Sequence, residues 1–318
     1  MYSSLMKKGI TISVLIFFSF HLHVSENHHF KQEYSVLHTA SGDIYGTLLT
    51  PKEESLSPVA ILISGSGPTD RNGNQPGLQN NSLKMLAEAL VSHGISSLRY
   101  DKRAIGKSKI KNLSEFDLRF EHYVEDVTAW VKWLKEKNKF KEITIIGHSE
   151  GSLIGMLASQ KGDVDKFISL AGAGRSADKL LKEQLGNKFI VSYFAFPLID
   201  DLVQGETVKA PFFLKTLLRD SVQPYLTSWF KYDPADEISK LNIPILVVQG
   251  TADIQVKVED AERLLRANEE VEIKIIPGMN HILKNSKLDR KENMLTYNQP
   301  NLPINEELIG TLVAFFEQ

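Results

Sequence analysis

The chain has 318 residues, 42% of them hydrophobic and 24% charged, with no cysteine and a formal net charge of −2. That composition fits one large folded domain or two small ones, and the near-neutral balance excludes a global electrostatic draw toward nucleic acid or anionic lipid. Without cysteine there is no disulfide, thiolate nucleophile, thiolate-bound metal or lipoprotein anchor.

At the N-terminus, Lys7 and Lys8 precede an uncharged stretch, 9–20, rich in Ile, Val, Leu and Phe. A positive patch ahead of a short apolar core is the layout of a secretory signal, and the stretch falls short of the ~20 apolar residues that span a bilayer. Residues 21–25 offer no small-x-small cleavage site. Residues 1–25 are therefore expected to be the signal peptide of a secreted or periplasmic protein, or else an uncleaved membrane anchor. Membrane contact is expected only through this segment.

Two alternating segments, 34–39 and 44–49, flank Ser41-Gly42-Asp43 and predict a β-hairpin. The apolar run 59–63 reads as a buried strand leading into a Gly-rich loop, 64–77. Ser82 is placed to cap a helix carrying Leu83, Leu86, Ala87 and Leu90 at helical spacing and stopped by Gly94. A strand at 95–100 follows. Tyr123, Val127, Trp130 and Leu134 then mark one face of a helix, and the lysines of 132–141 complement its dipole. The run 143–146 enters Gly147-His148-Ser149-Glu150-Gly151 and a helix with Leu153, Ile154, Met156 and Leu157; a strand follows at 167–170.

From 174 to 241 the rhythm breaks into helix-like, aromatic-rich sequence, with Phe189, Tyr193, Phe194, Phe196, Phe212, Phe213, Trp229 and Phe230 interrupted by Pro197, Pro211 and Pro224. These aromatics are expected to form the core of this region and in part to wall a pocket. Alternation resumes with a strand at 245–248, a helix at 258–267, a strand at 271–276 and a last helix at 306–316. Strands alternating with helices imply an α/β fold whose mostly parallel central sheet is covered on both faces. The core comprises 33–173 and 242–318, and a helical cap, 174–241, is inserted after the sixth strand.

Gly147 to Gly151 spell Gly-x-Ser-x-Gly between a strand and a helix, the pattern of a nucleophile elbow. A serine there sits at strained backbone angles, and the two glycines leave room for the turn. Its hydroxyl needs a base, and the base needs an orienter. Reactive groups in such a sheet converge at the carboxyl ends of the strands. That rule selects Asp253 after the strand at 245–248 and His281 after the strand at 271–276, in the order Ser149, Asp253, His281. Of nine histidines, five lie at or before residue 38. His93 and His122 read as surface residues, and His148 as one that packs or hydrogen-bonds locally in the elbow. Elimination leaves His281 as the base. Asp260 is a nearby competitor to Asp253. The developing oxyanion needs donors, assigned to the backbone N–H of Glu150 and of Ser66 in the loop Ser64-Gly65-Ser66-Gly67.

Two other motifs fail on context. Gly106-Lys107-Ser108 resembles the end of a phosphate-binding P-loop, but Asp101 stands where its first glycine belongs. Gly172-Ala173-Gly174-Arg175-Ser176-Ala177 fits a dinucleotide fingerprint but follows the sixth strand rather than the first. No histidine and carboxylate cluster has zinc spacing. Neither a cofactor, a metal nor a nucleic-acid partner is expected.

With these motifs the chain resembles the α/β-hydrolase superfamily and, more narrowly, the bacterial EstD-like esterases grouped with the serine aminopeptidase S33 (Hydrolase_4) sequences. The resemblance runs from about Tyr34 to the C-terminus. It rests on Ser64-Gly-Ser-Gly-Pro-Thr-Asp-Arg-Asn-Gly-Asn74, on Arg99-Tyr-Asp-Lys-Arg103 with Gly106 and Ser108, on the elbow, and on Gly250-Thr-Ala-Asp-Ile-Gln-Val256. The usual His-Gly before the oxyanion donor is Ser64-Gly65 here, and Ala104 replaces the first glycine of the family's Asp-x-Arg-Gly-x-Gly-x-Ser turn. The resemblance implies hydrolysis of small-molecule esters with short or medium acyl chains, without a cofactor. Asp70 and Arg71 would shape the oxyanion loop, meet the substrate or form a structural ion pair. An aminopeptidase is the alternative, with Glu183, Asp200, Asp201 or Glu206 as the group that would hold a substrate amine. A non-catalytic binding protein on the same fold is the third.

Overall fold

The computed structural model describes residues 30–52, 56–110 and 113–318. The expected signal or anchor at 1–25 lies outside them. Among the described residues no helix is long and apolar enough to cross a membrane.

The hairpin forms as β1 (Phe30–Thr39) and β2 (Gly42–Pro51), followed by β3 (Ser57–Ile63), α1 (Ser82–Ser92) and β4 (Ser96–Tyr100). Next come α2 (Phe120–Glu136), β5 (Phe140–His148), α3 (Glu150–Ser159) and β6 (Lys166–Leu170). The region after β6 holds α4 (Ala177–Gly186), α5 (Phe189–Val203), α6 (Lys215–Leu218), α7 (Gln223–Phe230) and α8 (Pro234–Ile238). The chain closes with β7 (Ile245–Gly250), α9 (Val258–Ala267), β8 (Val271–Ile276), α10 (Arg290–Thr296) and α11 (Glu306–Phe316).

The eight strands make one sheet in the order β1-β2-β4-β3-β5-β6-β7-β8. Pairing is antiparallel for β1–β2 and β2–β4 and parallel from β4 through β8. Alternation along β3 explains the two layers. Val59, Ile61 and Ile63 join a core with α2, α3, α9 and the cap, whereas Ala60 and Leu62 face α1 and α11. A strand buried on both faces reads as an unbroken apolar run, as β3 does.

Two local expectations change, and one element was not anticipated. Ser82 is the first helical residue rather than the cap; Asn81 takes the N-cap in the left-handed region at φ 55°. Asn tolerates that conformation better than most side chains, which moves the helix start by one residue. The segment after His281 contains α10, short and without a strong apolar stripe, capped by the Asp289 side chain on the Glu292 N–H. The cap aromatics depart furthest. Phe189, Tyr193, Phe194, Phe212 and Phe213 are exposed, so most of the eight form neither the cap's core nor a pocket wall; Phe230 is buried and Trp229 half-buried. Helix α5 turns a different stripe inward, Ala195, Ile199 and Leu202.

Candidate active site

Strand β5 ends at His148, and the chain passes through Ser149 at φ 55° and ψ −120° before α3 begins. Non-glycine residues avoid this region, so the conformation stores strain that the surroundings must hold. They do so sterically. A Cβ at Gly147 would lie 2.2 Å from the Gly151 carbonyl oxygen, and one at Gly151 would lie 2.5 Å from that of Ile63. Ser149 N–H donates to the Leu170 carbonyl at 2.9 Å, tying the turn to β6.

The loops after β7 and β8 bring Asp253 to His281. The His281 Nδ1 lies 2.8 Å from Asp253 Oδ2 in a pair with little solvent access. The other carboxylate oxygen accepts from the N–H groups of Gln255 at 2.7 Å and Val256 at 3.0 Å, and Gln249 Nε2 donates to Oδ2 at 3.1 Å. Burial pushes the Asp253 pKa up, but the His281 imidazole and the backbone donors outweigh it and hold the carboxyl below its ordinary range. Asp260, the competing acid, is on α9, where it receives Arg175 at 2.8 Å and the Gly174 N–H at 3.1 Å. It is committed elsewhere. Gly174 packs against that helix, with a Cβ position only 2.2 Å from the Asp260 carbonyl oxygen, which accounts for the dinucleotide-like glycine without a nucleotide.

Ser149, Asp253 and His281 line one cavity of about 560 Å³, together with Gly65, Ser66 and Tyr297. The Ser149 hydroxyl makes no hydrogen bond among the described residues and stands open toward this space. A second cavity of about 520 Å³ meets the first at Ser66, Ser149 and His281 and runs under the cap. Its far wall is apolar: Leu180, Leu181, Leu217, Val222, Leu226 and Trp229.

His148 is not a local packer. Its Nε2 donates to the His281 carbonyl at 2.7 Å, and the rings stand 5.0 Å apart, so it fixes the backbone of a residue far along the chain. Burial pushes its pKa down to about 4, which keeps the ring neutral.

Gly65 lies against the elbow, its Cβ position 3.1 Å from that of Ser149, and Gly67 turns the loop at φ +69°. Thr69 Oγ1 donates to the Ser66 carbonyl at 2.7 Å. Asp70 accepts from the N–H groups of Asn72 and Asn74, and Arg71 pairs with Asp101 at 2.7 Å, so both shape the loop. The Ser66 N–H has no acceptor among the described residues.

Beneath this loop lies an arrangement that sequence reasoning missed. The ammonium of Lys102, itself buried, donates to the Gly65 carbonyl at 2.6 Å and to Glu150 Oε2 at 2.7 Å. Glu150 Oε1 accepts from the Tyr225 hydroxyl, which burial keeps protonated by raising its pKa. The Gly65 carbonyl and the Ser66 N–H belong to one planar trans peptide and point opposite ways. Holding the carbonyl toward Lys102 therefore turns the Ser66 N–H away from it. The sequence signal was present, since Lys102 lies two residues past the strand end in Arg99-Tyr-Asp-Lys-Arg103. Its partners lie 37 and 48 residues further back or forward in the chain, out of reach of any local pattern.

Of the acids considered for a substrate amine, Glu183 alone reaches the first cavity wall. Lys257 and Arg175 both bind its carboxylate and hold its pKa below the usual range. Asp200 pairs with Lys182.

Residues 79–201 match the family model described as serine aminopeptidase, S33. The chain is 26% identical over 252 residues to Esterase EstD of Thermotoga maritima, a match covering 75% of this chain and 57% of EstD. It is similar in structure to the ferulic-acid-bound Est1E of Butyrivibrio proteoclasticus, with TM-score 0.60 and 19% identity over 89% of this chain and 100% of that one. It is also similar to the α/β hydrolase GrgF of Penicillium sp. sh18, with TM-score 0.61 and 18% identity over 90% of this chain and 98% of that one.

Proposed function

We propose that this chain, which has the α/β-hydrolase fold, is a serine carboxylic-ester hydrolase acting on short- to medium-chain acyl esters. One observation carries the reading: the Asp253–His281 pair at 2.8 Å faces the same cavity as a strained, unencumbered Ser149. In this mechanism His281 takes the Ser149 proton as the hydroxyl oxygen attacks the ester carbonyl. The N–H groups of Ser66 and Glu150 receive the oxyanion. The imidazolium returns its proton to the departing alcohol, leaving an acyl-enzyme that water cleaves by the same sequence. Asp253 holds the ring with Nδ1–H toward itself and stabilises its charged form. The apolar cavity under the cap suits the acyl chain and the more polar one suits the alcohol. The name of the Thermotoga maritima relative, Esterase EstD, supports the same reaction class.

The aminopeptidase reading keeps the support of the matched family description, but the acid in the cavity wall is already neutralised by two cations. Activity decides between them. A fluorophosphonate should modify Ser149 in the native chain and fail on Ser149→Ala. The native chain should turn over p-nitrophenyl acyl esters; turnover of aminoacyl anilides alone would reject the esterase assignment.

A further inference from the structure

The exposed aromatics of the cap gather on α5 and the turn before α6, joined by ring contacts from Tyr193 to Phe194 and from Phe194 to Phe213. Phe189, Ile190, Tyr193 and Phe194 occupy one face of α5, and the Phe194 ring lies 5.7 Å from Phe213 in the short turn before α6. Phe189 and Phe212 are 82% and 89% exposed, values that a folded chain rarely gives to large apolar side chains standing together. Three exposed lysines, Lys188, Lys209 and Lys215, border these segments, and none has a carboxylate partner among the described residues. The acids of α5, Asp200 and Asp201, gather at its other end, Asp200 already paired with Lys182. The patch also begins at the rim of the active-site cavity: Asn187 lines that cavity, and Phe189 opens α5 two residues on.

We propose that this face of the cap docks on an anionic lipid surface, with the aromatics entering the headgroup boundary and the three lysines meeting lipid phosphates. Exposed apolar side chains and unpaired cations flanking the same segments are the two components of interfacial binding. A second copy of the chain fits less well, because a two-fold interface would gather the unpaired lysines of both copies along one seam, and neither copy's exposed aromatic face carries a carboxylate to meet them. Docking in this orientation puts the cavity mouth at the interface, where an ester dissolved in lipid could enter without crossing water. This contact is separate from any made by residues 1–25, and it does not depend on the hydrolase assignment.

The absence of cysteine allows a direct test. Full-length Phe212→Cys, labelled with a polarity-sensitive fluorophore, is titrated with vesicles of equal parts phosphatidylglycerol and phosphatidylcholine, and with phosphatidylcholine alone. The same label at Glu269→Cys, an exposed position before β8 at the opposite end of the sheet, is the reference. We expect a blue shift at position 212 with the anionic vesicles, none at 269, and weakening by about fivefold for each of Lys188→Gln, Lys209→Gln and Lys215→Gln. Because the readout is local, tethering by the N-terminus cannot imitate it. No shift at 212, an equal shift at 269, or equal affinity for uncharged vesicles would overturn the proposal. So would a shift that appears without vesicles, whether it rises with protein concentration, as a second copy would produce, or is constant, as a covering segment of the chain would.

Discussion

Replacing Lys102 by methionine keeps the length of the side chain and removes its charge and donors. Two consequences follow, and they separate. Glu150 is left buried with only the Tyr225 hydroxyl, and breaking a buried ion pair from one side costs about 3–5 kcal/mol of stability. The Gly65 carbonyl loses its anchor, so the peptide that carries the Ser66 N–H is free to rotate about a glycine that has no side chain to resist. Losing one oxyanion donor costs roughly 3 kcal/mol at the transition state, a fall in kcat of about 10²–10³. The double variant Lys102→Met/Glu150→Gln removes the stranded charge, while the neutral amide it introduces keeps an oxygen for Tyr225. It should recover most of the stability in urea unfolding and little of the activity. Steady-state kinetics on a soluble p-nitrophenyl ester, with KM near the native value, would carry that signature. If the double variant turns over at the native kcat, Lys102 holds the fold together and has no part in aiming the peptide.

Three further outcomes are expected. His148 is neutral in the fold with a pKa near 4 against an ordinary 6.5, so as pH falls the unfolded chain takes up its proton first. Stability should then drop by about 3 kcal/mol between pH 6.5 and 4, fully present above that window, and His148→Gln should flatten this part of the urea-midpoint profile. Ala104 sits at φ 65°, so Ala104→Gly should raise stability by about 0.5–1 kcal/mol in urea unfolding; a loss would mean the turn is not strained. Leu181→Trp, in the wall of the apolar cavity, should lower kcat/KM for an octanoyl relative to an acetyl ester by about tenfold, and an unchanged ratio would place the acyl chain elsewhere.

The sheet was legible because its central strands β3, β5 and β7 are buried on two faces and so appear as apolar runs bounded by turns, and because the edge hairpin betrays itself by alternation. The loops at their carboxyl ends then drew attention to Ser149, Asp253 and His281, since position relative to a strand end is a property of the one-dimensional chain. Ala104 could be flagged from its place in a motif, and its positive φ shows that the turn keeps the conformation glycine would favour. What local pattern could not reveal were contacts made across long separations by residues of unremarkable type. The link from His148 to the His281 carbonyl spans 133 residues, and that from Tyr225 to Glu150 spans 75. The orientation of α5 was illegible for another reason: a helix apolar on most of its circumference does not announce which stripe will face inward.

The Tyr225 hydroxyl gives the inserted helices a stake in the machinery below them. A lid transplanted from another protein of this fold, however well its aliphatic residues fitted, would leave one oxygen of the buried Glu150 without a donor, its other oxygen still held by Lys102, unless it also brought an OH group to that spot. Chimaeras whose lids lack a hydroxyl at that place should pack and yet work less well than the native chain.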